Sequence, residues 1–374
     1  MKPGKTVFLK FDATLNKVGN KKLSDGLSAV VHIGDTLWVA NDESNSIERL
    51  KLLSETENTI LYGGHLQFQI DDFIQLPLPS KNDEGKIEEI DIEGLDFKDG
   101  YLWLVGSHSL KRKKPDEDKP DEKKFKQLAK VSSDGNRFLL ARIPLEEKNG
   151  MLAPVKEISH KNRRLTAAKL PGDANGNDLL LALINDDHLK DFFKIPGKDN
   201  GFDIEGLAVD KDNRIFIGLR GPVLRGYAII LELQVETKDN DDFALEMRTI
   251  TPDGNTYRKH ILDLGGLGIR EISLDGNDML ILAGPTMDLD GPVTIFRWQN
   301  YRKENNGDFV LKDALREVMQ VPFGNGVDHA EGMTRFSTDK NKATALLLVN
   351  DAASAAFQDG GHTLKANIFE LIDN

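Results

Sequence analysis

The stretch GFDIEGLAVDKDNRIFIGLRGP, residues 201–222, reads as two β-strands joined by a tight turn. Asp203-Ile204-Glu205-Gly206-Leu207 opens a short apolar strand, the polar run Asp210-Lys211-Asp212-Asn213 supplies the turn, and Ile215 to Leu219 forms a second apolar strand that ends in Arg220-Gly221. Working outward, the same plan recurs in DGLSAVVHIGDTLWVAND (25–42), DIEGLDFKDGYLWLVGSHS (91–109), REISLDGNDMLILAGPT (270–286) and AEGMTRFSTDKNKATALLLVNDA (330–352). Aligned on the acid, the units begin at Asp25, Glu93, Glu205, Glu271 and Glu331, with gaps of 68, 112, 66 and 60 residues. A period in the sixties with two adjacent strands per unit, followed by further strands such as YAIILELQV and VTIFRWQ, predicts an all-β fold of the β-propeller type. Five blades fit the acids, and a sixth, degenerate one stays open. A β-sandwich with a separate domain explains the alternation of apolar residues but not the repeated acids.

Both ends of the chain support one closed domain over 1–374. KANIFELI (365–372) reads as the third strand of the last unit, and TVFLKFD (6–12) as its fourth, which would leave the ring without a free edge. The long gap contains LLLALINDDHLKDFF, whose apolar run exceeds a strand and continues at helical spacing; a helical insertion is expected over 146–200, capped by Asn177 or Asp178. KRKKPDEDKPDEKK (111–124), with 7 basic and 5 acidic residues, is expected to be a charged, flexible loop that could lie across a channel mouth.

Composition narrows the chemistry. The 374 residues carry 49 Lys+Arg against 61 Asp+Glu, a formal net charge of −12, which argues against nucleic acid or an anionic membrane as partner. With no cysteine, disulfides, thiolate nucleophiles and thiolate metal sites are excluded. No uninterrupted apolar segment has the length of a signal peptide core or a membrane span, so a cytoplasmic location is expected. The oligomeric state is not fixed by the sequence.

In a propeller the first strand of each blade lines the axis, and the second returns to the same face. The acids Asp25, Glu93, Glu205, Glu271 and Glu331, flanked by Asp91, Asp203, Arg270 and His329, would therefore form a ring at one rim, beside strand ends that carry Asn41-Asp42, Ser107-His108, Arg220, Thr286 and Asn350-Asp351. Two like charges ~4 Å apart at an effective dielectric of about 20 repel by roughly 4 kcal/mol, so such a ring must take up protons, recruit arginine or hold a cation. Oxygen ligands without cysteine suit Ca²⁺, or Mg²⁺ or Mn²⁺, with Asn41 and Asn350 adding neutral carbonyls. Arg220, Arg225 and Arg270 are the competing answer and could also grip an anion. His329 and His108 are the candidate proton carriers. The acids could equally serve only to bond backbone amides of neighbouring blades, with the following glycine permitting a bulge.

The phrases GFDIEGLAV and GLRGPVLRG, together with DIEGLDFKDGYLWLVGSHSLKR, resemble the bacterial family known as domain of unknown function 3616 over most of the chain. The resemblance implies a propeller-like fold and no established activity. Phytase-like, lactonase and calcium-dependent nucleotidase propellers are more distantly similar, and their ligand sets cannot be traced here residue by residue. The expected function is metal-assisted hydrolysis of a small anionic or ester-containing molecule at the channel mouth. The alternatives are paired-carboxylate glycoside hydrolysis, or a non-catalytic propeller that binds a peptide.

Overall fold

Alternating apolar residues flanking short Gly/Asp/Asn turns produce five antiparallel strand pairs in the computed structural model, which describes residues 5–371 apart from 84, 161–162, 304–308, 311 and 338–344. The first strands are Leu27–Ile33, Ile92–Lys98, Asp203–Val209, Gly268–Asp275 and His329–Phe336; their partners are Thr36–Asn41, Tyr101–Gly106, Arg214–Gly221, Asp278–Gly284 and Ala345–Asp351. In the second pair the turn is Asp99-Gly100, both at positive φ (50° and 87°), the two-residue geometry whose twist matches the flanking strands.

Each first strand packs beside the next, and His329–Phe336 packs beside Leu27–Ile33, so the series closes around one axis. The fold is an all-β propeller. Its second strands are buried on both faces, with Leu102, Leu104 and Val105 fully enclosed, because each unit is covered by a neighbour on either side. The apolar core is divided accordingly into clusters between adjacent units, such as Ile92, Leu104 and Ala141 against Ala29, Trp38 and Ala40. Thr6–Lys10 pairs antiparallel with Thr363–Glu370 (Val7 opposite Ala366) and parallel with Thr59–Gln69 (Val7 opposite Ile60). The start of the chain is thereby stitched to its end, and both edges of that strand are occupied.

Two sequence expectations need correction. Residues 146–200 are not a helical excursion: hairpins such as Glu157–His160 with Arg163–Thr166 occupy much of the segment, and its α-helix is only Asp178–Leu183. Asn177 starts this helix by accepting the Leu180 N–H (3.1 Å). It stops after two turns because the Asp186 carboxylate accepts the His188 N–H (2.9 Å) in a local turn. Phe192 and Phe193 still pack on the core, from turns instead of a helix face. Nor is 111–124 a bare loop, since Lys111–Arg112 pairs with Val131–Ser132 and a helix runs over Asp121–Leu128. This arm is fastened to the rim by Arg112 Nε on Asp199 (2.7 Å) and Lys114 Nζ on Asp288 (3.6 Å). Among the described residues no helix is long and apolar enough to cross a membrane.

Candidate functional site

Every first strand carries a bulge near its start, and the registers identify which residue it projects. Ile92 faces Gly106 while Gly94 faces Val105, so Glu93 is the extra residue; the same offset isolates Ser28, Glu205, Arg270 and Glu331. Gly94 follows the bulge because the next unit approaches closely: a Cβ there would stand 2.5 Å from Leu207 Cβ. The inner ring is therefore Ser28, Glu93, Glu205, Arg270 and Glu331. Two residues upstream, Gly26, Asp91, Asp203, Gly268 and His329 form a second tier, joined at the rim by Asp42, Arg220 and Asp351 from the ends of the partner strands.

The ring differs from the expected one at two places. Glu271 lies one residue past the bulge and points between units, where its Oε1 accepts the N–H of Ile272 (2.9 Å) and of Leu207 (3.2 Å). Asp25 lies three residues too early, in the short turn Leu23–Asp25; the bulge position there is Ser28, whose Oγ donates to Ile92 O (2.5 Å). Neither is a ligand at the axis.

Arginine neutralises one side of the mouth. Arg220 Nη1 contacts Glu205 Oε1 at 2.5 Å and Asp203 Oδ2 at 3.7 Å, while its Nε donates to Thr286 O (2.9 Å). Arg270 Nη1 bridges Glu331 Oε1 (2.6 Å) and Glu205 Oε2 (3.3 Å), and Nη2 donates to Pro285 O (3.1 Å). On another side Arg137, which sequence reasoning missed, holds Asp91 at 2.7 Å. Arg225 takes no part: it is exposed, at positive φ (52°), in the turn before Tyr227.

The opposite side is not neutralised. Among the described residues Asp42, Glu93 and Asp351 have no hydrogen-bond or ion-pair partner for their side chains, although Glu93 is 9% exposed. Burial, then Asp91, Glu205 and Glu331, pushes the Glu93 carboxyl well above the usual range; burial and Asp351 do the same to Asp42. Burial raises Glu331 to about 8 with help from Asp351, against the pull of Arg270, and raises Asp203 to about 7 against Arg220. Charge accounting explains this. Seven acids (Asp42, Asp91, Glu93, Asp203, Glu205, Glu331, Asp351) face four bases (Arg137, Lys198, Arg220, Arg270), a surplus of acids that raises the carboxyls and that protons or a bound cation would offset.

Lys198, also missed, is an exposed residue of the turn Gly197–Asp199, with no ion-pair partner among the described residues. Desolvation of its charged end at the mouth and Arg220 oppose its charge, but Glu331, Asp42 and Asp351 outweigh them and hold its pKa above the ordinary value. Arg137 and Lys198 both lie on short turns, Gly135–Arg137 and Gly197–Asp199, that have no counterpart in the repeated strand pairs.

Of the two histidines, His108 is not a proton carrier. Asn177 Nδ2 donates to its Nε2 (2.9 Å), so Nδ1 carries the hydrogen and donates to Gly106 O (2.8 Å). Burial lowers its pKa to about 4, and the ring stays neutral with both nitrogens occupied. Replacing Asn177 by Ala removes a helix cap and an internal donor together, and is expected to cost about 2–4 kcal/mol in urea unfolding. His329 is at the rim, opposite Asp351 in its ladder, with Nε2 3.2 Å from Asp290 Oδ1. It borders a depression lined by Arg270, Pro285, Leu289, Val293 and Phe323.

Asn41 is committed to backbone, through Nδ2 to Leu23 O (2.8 Å) and Oδ1 from Glu43 N (2.9 Å). Asn350 is buried with no side-chain hydrogen bond among the described residues. No three His, Asp or Glu side chains among the described residues are grouped to hold one metal ion. A larger hollow of about 290 Å³ lies around Tyr257 and Lys259, but its central carboxylate, Asp186, is already bonded by Tyr257 Oη (2.6 Å) and Lys259 Nζ (2.5 Å).

The raised carboxyls have a consequence for stability. Asp203 and Glu331 keep protons in the folded state that the unfolded chain releases near its ordinary values of 3.8 and 4.5. The folded state then binds more protons, so their contribution is complete below pH 4 and is lost as pH rises through about 7–8. Glu331→Gln is expected to flatten the fall in urea midpoint between pH 6 and 9, measured against the wild type.

The architecture and the site define a propeller with a charged, partly protonated mouth. The chain belongs to the family described as Protein of unknown function (DUF3616), whose profile matches residues 26–367. No curated protein matches it. Among solved structures it is similar to glutaminyl cyclase from Myxococcus xanthus (10% identity, TM-score 0.37, covering 100% of both chains). It is also similar to the PQQ-bound aldose sugar dehydrogenase from Streptomyces coelicolor (11% identity, TM-score 0.34, covering 98% of this chain and 99% of that one). Likeness at this level assigns no activity.

Proposed function

We propose that the protein is a hydrolase of a small, charged, ester- or amide-type substrate, with its reaction centre on the unneutralised side of the mouth. The observation that carries this reading is Glu93, a buried carboxyl with no side-chain partner among the described residues, whose pKa burial and its acidic neighbours push well above the usual range. A neutral carboxylic acid at working pH is a proton donor in place.

In the proposed reaction a water oxygen adds to the substrate carbonyl while His329, oriented by Asp290, takes the water's proton. The carbonyl oxygen gains negative charge, which the Lys198 ammonium stabilises. The bond from carbonyl carbon to the leaving oxygen or nitrogen then breaks, and Glu93 supplies the proton that the leaving group needs. Proton return from His329 resets Glu93. Arg220 and Arg270 fix Glu205 and Glu331 and so shape the cavity wall without acting on the substrate.

The test is a hydrolysis screen of the purified chain against small esters, lactones, amides and phosphoesters, with and without EDTA. Turnover that Lys198→Ala lowers at least tenfold supports the reading. Absence of turnover across the panel assigns the mouth to binding alone. A divalent cation held by the Asp42 and Asp351 carboxyls, which converge beside Gly26, is the second reading; loss of turnover in EDTA and recovery with Ca²⁺ would support it.

A further inference from the structure

We propose that the arm rooted at Lys111–Arg112 positions Lys198 at the mouth, and that Arg112 is the positioning residue through which it does so. The coupling of arm and lysine is independent of any reaction; its effect on turnover rests on the hydrolase reading above.

Lys198 is the middle residue of the turn Gly197–Asp199, and the arm grips that turn on both sides of it. Leu110 O, at the root of the arm, accepts the Gly197 N–H (2.9 Å), and Arg112 Nε donates to Asp199 Oδ2 (2.7 Å). Arg112 is held in turn from the far end of the arm's helix, where its Nη1 donates to Leu128 O (2.7 Å). Lys111 anchors the root on Glu89 (2.7 Å) and on Asp134, while Lys114 reaches Asp288 (3.6 Å). The arm therefore starts after the second strand pair, passes the turn that precedes the third, and touches the loop that follows the fourth.

The turn has a ring side and an arm side. On the ring side Gly197 packs directly on Asp203, since a Cβ there would stand 2.3 Å from its Oδ2, and Asn200 Oδ1 accepts the Val223 N–H (3.0 Å). On the arm side the contacts are those of Leu110 and Arg112. Lys198 has no ion-pair partner of its own among the described residues, so the backbone of the turn sets where its flexible stem can reach. Glu331, Asp42 and Asp351 act on its ammonium, with Arg220 opposing, which shows that the turn delivers the charge to the mouth.

Arg112 suits this task better than it suits holding the fold together. The side chains of Arg112 and Asp199 are 32% and 36% exposed, and ion pairs at such positions add little stability. Their value is directional: one rigid guanidinium fork joins the end of the helix to the turn. An arm that leaves the rim takes two of the turn's contacts with it. By reciprocity, an anionic ligand held by Lys198 favours the docked arm.

The test uses the full chain with isotope-labelled methyl groups on its lysines, which keep their charge, and the Lys198 signal is assigned by its absence in Lys198→Arg. NMR then reads the titration midpoint of Lys198 in the wild type, Arg112→Gln and Asp199→Asn. Through-space charge alone gives opposite signs, because losing Arg112 raises the midpoint and losing Asp199 lowers it. Release of the turn lowers it in both variants, as the ammonium moves away from Glu331, Asp42 and Asp351. The expected midpoint in Arg112→Gln is about half a pH unit or more below wild type. Its unfolding midpoint should stay within about 2 °C. On any substrate that is turned over, Arg112→Gln should lower the rate, and should add little to the loss caused by Lys198→Ala. An unchanged or raised Lys198 midpoint in Arg112→Gln would overturn the proposal whatever the rates, as would fully additive losses in the double variant. A lowered midpoint in a chain that turns over no substrate would uphold the coupling and defeat only the hydrolase reading.

Discussion

Arg270→Met is expected to destabilise the protein by about 3–5 kcal/mol at pH 8, the usual cost of removing one member of a buried, hydrogen-bonded ion cluster. Arg270 is 8% exposed, and its guanidinium serves Glu331, Glu205 and Pro285 O together. Its loss strands two carboxyls in an enclosed mouth already short of positive charge. The hydrophobic replacement fills similar volume, so the penalty is electrostatic. Two features separate this from simple loss of packing. The destabilisation should shrink on moving to pH 5, because Glu331 takes up its proton well above that pH even in the wild type. Adding Glu331→Gln to Arg270→Met should restore part of the loss, since it removes one stranded charge. Urea unfolding at both pH values measures all three variants; a loss below about 1 kcal/mol at pH 8 would show that the arginine does not balance the ring.

Glu93→Gln is expected to lower kcat by about 10²–10⁴, the range attributable to a positioned general acid, while leaving the unfolding midpoint within a few degrees of wild type. The amide keeps the shape and neutrality that the protonated carboxyl already has, so folding should not register the change. The leaving-group proton, however, cannot come from an amide. Substrates whose leaving group needs no proton, such as activated phenyl esters, should therefore lose much less rate than alkyl esters or amides. A uniform loss across leaving groups would make Glu93 a binding residue.

The repeat was legible because blades are copies of one hairpin, and hairpin chemistry is local: apolar alternation and turn residues are read from adjacent letters. The ring was legible only in part. Alignment on acid-Gly-apolar letters placed Glu93, Glu205 and Glu331 at the axis, but it set Glu271 one residue off and Asp25 three off. A bulge is defined by pairing with the partner strand, not by its own letters. The apolar residue before it was the better guide, since Ile92, Ile204, Ile269, Ala330 and Leu27 all precede the projecting position. Asp42 and Asp351 were legible at the rim beside Asn41 and Asn350, but which member of each pair turns to the mouth depends on the pairing, since a one-residue step along a strand reverses the face. Arg137 and Lys198 reach the mouth from segments with no repeat counterpart, so only the fold could bring them there. The long gap misled because LLLALI suits a helix locally, whereas the turn at Asp186 ends it.

The central claim is that the mouth keeps a carboxyl neutral for use as an acid. Infrared spectroscopy of the carboxylic C=O stretch tests this directly, by subtracting the Glu93→Gln spectrum from that of the wild type at pH 7. A protonated-carboxyl band in the difference, persisting at pH 7 and disappearing only at higher pH, is the predicted result. A difference that shows only carboxylate at pH 7, with the acid band emerging near the ordinary glutamate value, would contradict it.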